Sequence, residues 1–113
     1  MDFERQCEGY DIETMTDADL LAWANGLQVC RFEANEEGAV CAGKKSSIRL
    51  DFGRFDDSVP GKGGMRHVGI YAEDERGDYH GWCAGYADLR KAAEVIERRA
   101  SELGLMSMQL SLF

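Results

Sequence analysis

The chain has 113 residues, 44% of them hydrophobic and 30% charged, which is enough apolar material for one small core and too little chain for two ordinary domains. No window approaches the roughly twenty uninterrupted apolar residues of a membrane helix, and the acidic start (Asp2, Glu4, Glu8, Asp11, Glu13) is unlike a secretory signal, so a soluble, cytoplasmic protein is expected. Thirteen Lys and Arg against 21 Asp and Glu leave a net charge of −8, which repels the phosphate backbone and argues against direct contact with DNA or RNA.

Thr16 opens the first helix signature, because its hydroxyl can cap the free amides of the first turn while Asp17 and Asp19 complement the positive end of the helix dipole. Leu20, Trp23, Ala24 and Leu27 follow at helical spacing. Asn25-Gly26 supplies the expected stop through a left-handed glycine, giving a helix of about ten residues.

From Leu27 to Cys83 the pattern is that of strands. Residues 28–32, 47–52 and 67–71 alternate apolar and polar side chains, and Tyr79 to Cys83 is expected within the last strand. Turn-forming stretches at 35–38, 56–64 and 74–78 separate them. An antiparallel meander of three to five strands follows. A second, longer helix is marked by the apolar stripe Leu89, Ala92, Ala93, Ile96, Ala100 and Leu103, with Arg90, Lys91, Glu94, Glu97, Arg98 and Glu102 on its other face and Gly104 at its end. The expected fold is therefore α+β: a short N-terminal helix, the meander, the long helix packed on the sheet, and an extended segment. Residues 1–104 form one small acidic domain in this reading, and residues 105–113 the extended segment.

The acidity is unevenly distributed, with thirteen acids and six bases in residues 1–60 against eight and seven in residues 61–113. A solvated acidic surface accounts for this, and mimicry of nucleic acid is the sharper reading. Four cysteines (Cys7, Cys30, Cys41, Cys83) are read as free thiols in a reducing compartment. No Cys-x-x-Cys pair occurs, and the one metal-like spacing, His80-x-x-Cys83, falls short of the four convergent ligands of a zinc site.

Val59-Pro60-Gly61-Lys62-Gly63-Gly64 departs from a phosphate-binding P-loop, since glycine follows the lysine and a strand follows the loop, so a mobile surface loop is expected. Carboxylate pairs such as Asp56-Asp57 stand in turn-like contexts where nothing raises a pKa for acid or base work. His80 and Cys83, three apart on a strand, would face opposite sides. No catalytic residue, metal or cofactor is assigned, and the protein is not expected to be an enzyme.

The sequence closes on Gln109-Leu110-Ser111-Leu112-Phe113. This pentapeptide resembles the motif by which bacterial replication and repair proteins bind the β sliding clamp, whose favoured form is Gln-Leu-Ser/Asp-Leu-Phe, and it matches at every position. The resemblance covers five residues of 113. It implies that Leu112 and Phe113 enter the deep hydrophobic pocket of the clamp, Leu110 fills the adjoining shallow one, Gln109 hydrogen-bonds at the entrance and Ser111 is a spacer.

An ordinary reading stands beside it. Met106, Met108, Leu110 and Leu112 alternate with Ser107, Gln109 and Ser111 as in a final sheet strand, and residues 105–108 could pair while 109–113 project. The expected function is non-enzymatic binding of the clamp, as a replication or repair accessory factor or as a phage or mobile-element inhibitor competing with polymerases. The alternative is an acidic DNA mimic that inhibits a nucleic-acid-binding enzyme, of the anti-defence or anti-CRISPR type, with the tail purely structural.

Overall fold

The computed structural model describes residues 4–74, 76 and 84–106. Helix α1 (Glu4–Cys7) and a 3-10 turn (Ile12–Thr14) precede α2 (Asp17–Gly26); then come β1 (Glu33–Ala34), β2 (Gly38–Ala42), β3 (Ser47–Asp51), β4 (Val68–Glu73), β5 (Ala84–Tyr86) and α3 (Leu89–Leu103). The five strands pair in sequence order and every pairing is antiparallel, so the sheet is a meander. α3 packs on β3, β4 and β5, while α2 leans on β2 and α1 touches both α2 and α3. The expected order of short helix, antiparallel meander and long helix packed on the sheet is the observed one, and residues 107–113 of the expected extended segment lie outside the described residues.

Period-two burial explains the layers. Ile48 and Leu50 of β3 and Val68, Ile70 and Ala72 of β4 face the helices and are buried, whereas Ser47, Arg49 and Asp51 between them are half-buried. Across this inner face lie Trp23 and Leu20 from α2 and Ala92, Ala93, Ile96 and Ala100 from α3, all fully enclosed. On the outer face Arg49 stands opposite both Val40 and Tyr71, with its guanidinium carbon 5.6 Å from the centre of the Tyr71 ring.

The start of α2 follows the expected chemistry closely. Thr16 Oγ1 accepts from the Asp19 N–H at 3.1 Å while Asp19 Oδ2 accepts from the Thr16 N–H at 3.0 Å, so two orphan donors are satisfied reciprocally. Its end does not. Gly26 lies inside the helix with an ordinary negative φ, and the left-handed residue is Gln28, at φ 59°. Gly26 serves close approach, because a Cβ there would strike the side-chain amide of Gln6, whose Nε2 donates to the Trp23 carbonyl at 3.2 Å.

Residues 28–32, expected to be a strand, are irregular. Val29 and Cys30 are both buried, which a period-two strand with one wet face does not allow. The backbone of Phe32 is satisfied by a side chain instead of a ladder: its N–H donates to Asn25 Oδ1 at 2.7 Å and its carbonyl accepts from Asn25 Nδ2 at 3.0 Å. β1 begins only at Glu33. β2 was not singled out by alternation, since Gly38, Ala39 and Cys41 are small residues in a largely buried strand.

Loop 56–64 is hydrogen-bonded where a mobile loop was expected. Phe55 and Gly64–Met65 exchange backbone bonds of 2.8 and 2.9 Å, and Asp56 Oδ1 accepts from both the N–H and hydroxyl of Ser58. Those bonds hold the Asp56 carboxyl below its usual range. The expected strand over Tyr79 to Cys83 lies outside the described residues.

Candidate partner-binding segment and its mount

The five residues of the clamp-like peptide, Gln109, Leu110, Ser111, Leu112 and Phe113, lie outside the described residues, as do His80 and Cys83. What the structure describes is the helix and the two residues after it that precede this part of the sequence. α3 is capped by Asp88, whose Oδ1 accepts from the N–H groups of Arg90 (2.9 Å) and Lys91 (3.4 Å). Its inward stripe contains every position read from the sequence except Leu103, which is half-buried, and gains Val95.

The helix ends in a Schellman motif. Gly104 sits at φ 70°, its N–H bonds the Ser101 carbonyl at 3.3 Å, and the Leu105 N–H reaches back to the Ala100 carbonyl at 2.8 Å. A side chain on residue 104 would be strained there, whereas glycine is not. Ser46 Oγ, from the β2–β3 loop, donates to the Leu103 carbonyl at 3.2 Å and satisfies one of the carbonyls that the helix itself leaves open.

The chain does not leave the body of the protein at Gly104. Leu105 is only 8% exposed and joins the core cluster, and Met106 packs partly against it. The seat for Leu105 is made by Gly43, where a Cβ would stand 2.6 Å from the leucine Cδ2. Leu105 and Met106 belong to no strand, so the pairing suggested by their place in the alternating tail is not seen at these two positions.

The acidic half of the chain is less uniform than its composition suggests. Glu13 binds Arg54 Nη1 through Oε1 at 2.9 Å and the Arg66 N–H through Oε2 at 2.8 Å, and Asp17 Oδ1 pairs with Arg66 Nη2 at 2.7 Å. The Arg66 N–H and the Arg54 side chain together lower the Glu13 pKa. In the sequence Glu13 and Asp17 belong to the acidic half of the chain. The partners are more than forty residues away, and nothing in their spacing announces the pairing. Glu33, Glu36 and Glu37 are exposed around the β1–β2 turn.

The histidine and the buried thiols among the described residues lie on opposite faces of the sheet. His67 rests on the outer face of the sheet against Phe55, with ring centres 4.7 Å apart, and against Gly85. Cys30 and Cys41 instead face the core, and no group of three or more His, Cys, Asp and Glu converges as metal ligands would among the described residues. Comparisons with family models, with curated proteins and with solved structures each returned no match for this chain.

Proposed function

We propose that the protein binds the bacterial β sliding clamp through Gln109, Leu110, Ser111, Leu112 and Phe113, and acts as a binding protein and not as a catalyst. The observation that carries this reading is the pentapeptide itself, which matches the clamp-binding form at all five positions. The mount supports it. Among the described residues Leu105 is the last buried anchor, and Ser107 and Met108 stand between Met106 and Gln109 in the sequence. An extended peptide of this kind works with few anchors: neighbouring apolar side chains fill a pocket and a polar one sets register.

Burying Leu112 and Phe113 is worth about 1.5–3 kcal/mol each before the cost of ordering the tail, which points to an affinity of about micromolar. The net charge of −8 favours a competitor for the pocket over a factor delivered to DNA, because a protein repelled by DNA gains little from being carried along it.

Titration calorimetry of the full chain and of a chain ending at Met108 into purified clamp tests the proposal, with circular dichroism melts of both. Binding by the full chain alone, with equal melting temperatures and little change between low and high salt, is the expected result. Absence of binding by the full chain overturns it. Binding that survives the truncation and collapses with salt would transfer the contact to the acidic surface, as in a nucleic-acid mimic.

A further inference from the structure

Cys30, in the irregular segment before β1, and Cys41, in β2, are neighbours in the core. β1 pairs with β2 as Glu33 with Val40 and Ala34 with Ala39. One further step of that register sets Phe32 across from Cys41, and Phe32, Cys30 and Cys41 are all buried in the core. The Cys30 thiol lies against the sulfur of Cys41, which also faces the Arg31 backbone N–H. Cys30 is 2% exposed and Cys41 is 9% exposed, at the rim of the core. All described cysteines are free.

We propose that Cys30 and Cys41 are a hydroperoxide-oxidised thiol pair that closes to a disulfide, joining the segment between α2 and β1 to strand β2. In the first step the Cys41 thiolate attacks one oxygen of hydrogen peroxide: an S–O bond forms, the O–O bond breaks, and the departing hydroxide takes a proton from water or from its surroundings, leaving a sulfenic acid. In the second, the Cys30 sulfur attacks the Cys41 sulfur as its own proton passes to the leaving hydroxyl, so the S–S bond forms, the S–O bond breaks and water departs. The sum is two thiols and one peroxide giving one disulfide and two waters.

The order of attack follows from the surroundings. Cys41 is the more exposed of the two, and its sulfur faces the Arg31 N–H, which stabilises a thiolate there, whereas burial disfavours one on Cys30. Cys7 stands apart, half-buried beside Trp23, and its thiol is raised by burial.

The test is peroxide treatment of the reduced, folded full chain, followed by N-ethylmaleimide under denaturing conditions, intact mass and peptide mapping. A Cys7→Ser chain is run alongside, because trypsin leaves Cys7 and Cys30 in one peptide. The expected result is a chain short of two maleimides, with the peptide ending at Arg31 linked to the one carrying Cys41 in both chains. Cys30→Ser should leave a Cys41 sulfenic acid that dimedone captures, and Cys41→Ser should slow peroxide consumption about tenfold or more. Four maleimides after peroxide would overturn the proposal. So would links through Cys7 or Cys83 as abundant as the Cys30–Cys41 link, or a Cys30–Cys41 link equally abundant when oxidation is carried out in guanidinium. These readings need only the folded unsubstituted chain, so a variant that fails to fold does not shield the idea.

Discussion

The segments that follow the two principal helices, residues 27–32 after α2 and residues 105–106 after α3, leave by opposite devices. After α3 the turn is local: Gly104 takes the left-handed conformation, the Schellman bonds close on Ala100 and Ser101, and Leu105 drops into the seat beside Gly43. After α2 no glycine turns the chain. Gln28 accepts a positive φ at a steric cost of about 1–2 kcal/mol, and the Asn25 side chain, still within the helix, stands in for a neighbouring strand by engaging both backbone groups of Phe32. Alternating side chains mark both stretches in the sequence, yet neither described segment is a strand. What decides is where the backbone donors and acceptors go, and a side-chain amide can absorb them as effectively as a ladder.

That contrast can be broken at several points. The largest effect is expected from Leu105→Ala, which empties the seat beside Gly43 and should cost about 2–4 kcal/mol in chemical denaturation. Clamp binding by the surviving folded fraction should be unchanged, because the anchor lies outside the pentapeptide.

Next comes Asn25→Ala, which strips both backbone partners from the buried Phe32 and should cost about 2 kcal/mol, with faster amide exchange at Phe32 as its local signature. A loss below about 0.5 kcal/mol would show that water replaces the amide, and the comparison would fail. Gly104→Ala should cost about 1 kcal/mol by forcing a Cβ into the left-handed region.

The smallest change is expected away from both segments. Glu13 has a lowered pKa in the folded protein, so it stabilises the fold above its unfolded pKa and loses that contribution as the pH falls through the folded value. A Glu13→Gln chain should therefore show a shallower fall in melting temperature with acidification below the ordinary carboxylate range than the parent does. Equal slopes would mean that the contacts with Arg54 and Arg66 add nothing on folding.

Much of the fold was legible because it is written locally. The Thr16 cap, the α3 stripe, the Gly104 stop and the alternation of 47–52 and 67–71 all depend on residues within a few positions of one another. What escaped depends on distant contacts: the four-residue α1, placed against α2 by Gln6; β2, whose small residues carry no alternation; the role of Gly26; and the bonds from Glu13 to Arg54 and Arg66. The candidate site divides in the same way. The pentapeptide was readable as a string of letters, whereas the meeting of Cys30 with Cys41 arises only once an irregular segment is laid against β2.

The two-residue strand β1 also governs how the molecule behaves in a crowd. A sheet edge is a template for foreign strands in proportion to its length, flatness and apolar character. On this side a neighbouring chain would find two residues of ladder, Glu33 and Ala34, both exposed, followed at once by a turn bearing Glu36 and Glu37. Like-charged copies approaching there repel one another before any backbone bond can form. Glu33, Glu36 and Glu37 thus oppose the addition of a second copy's strand at the β1 edge of the sheet.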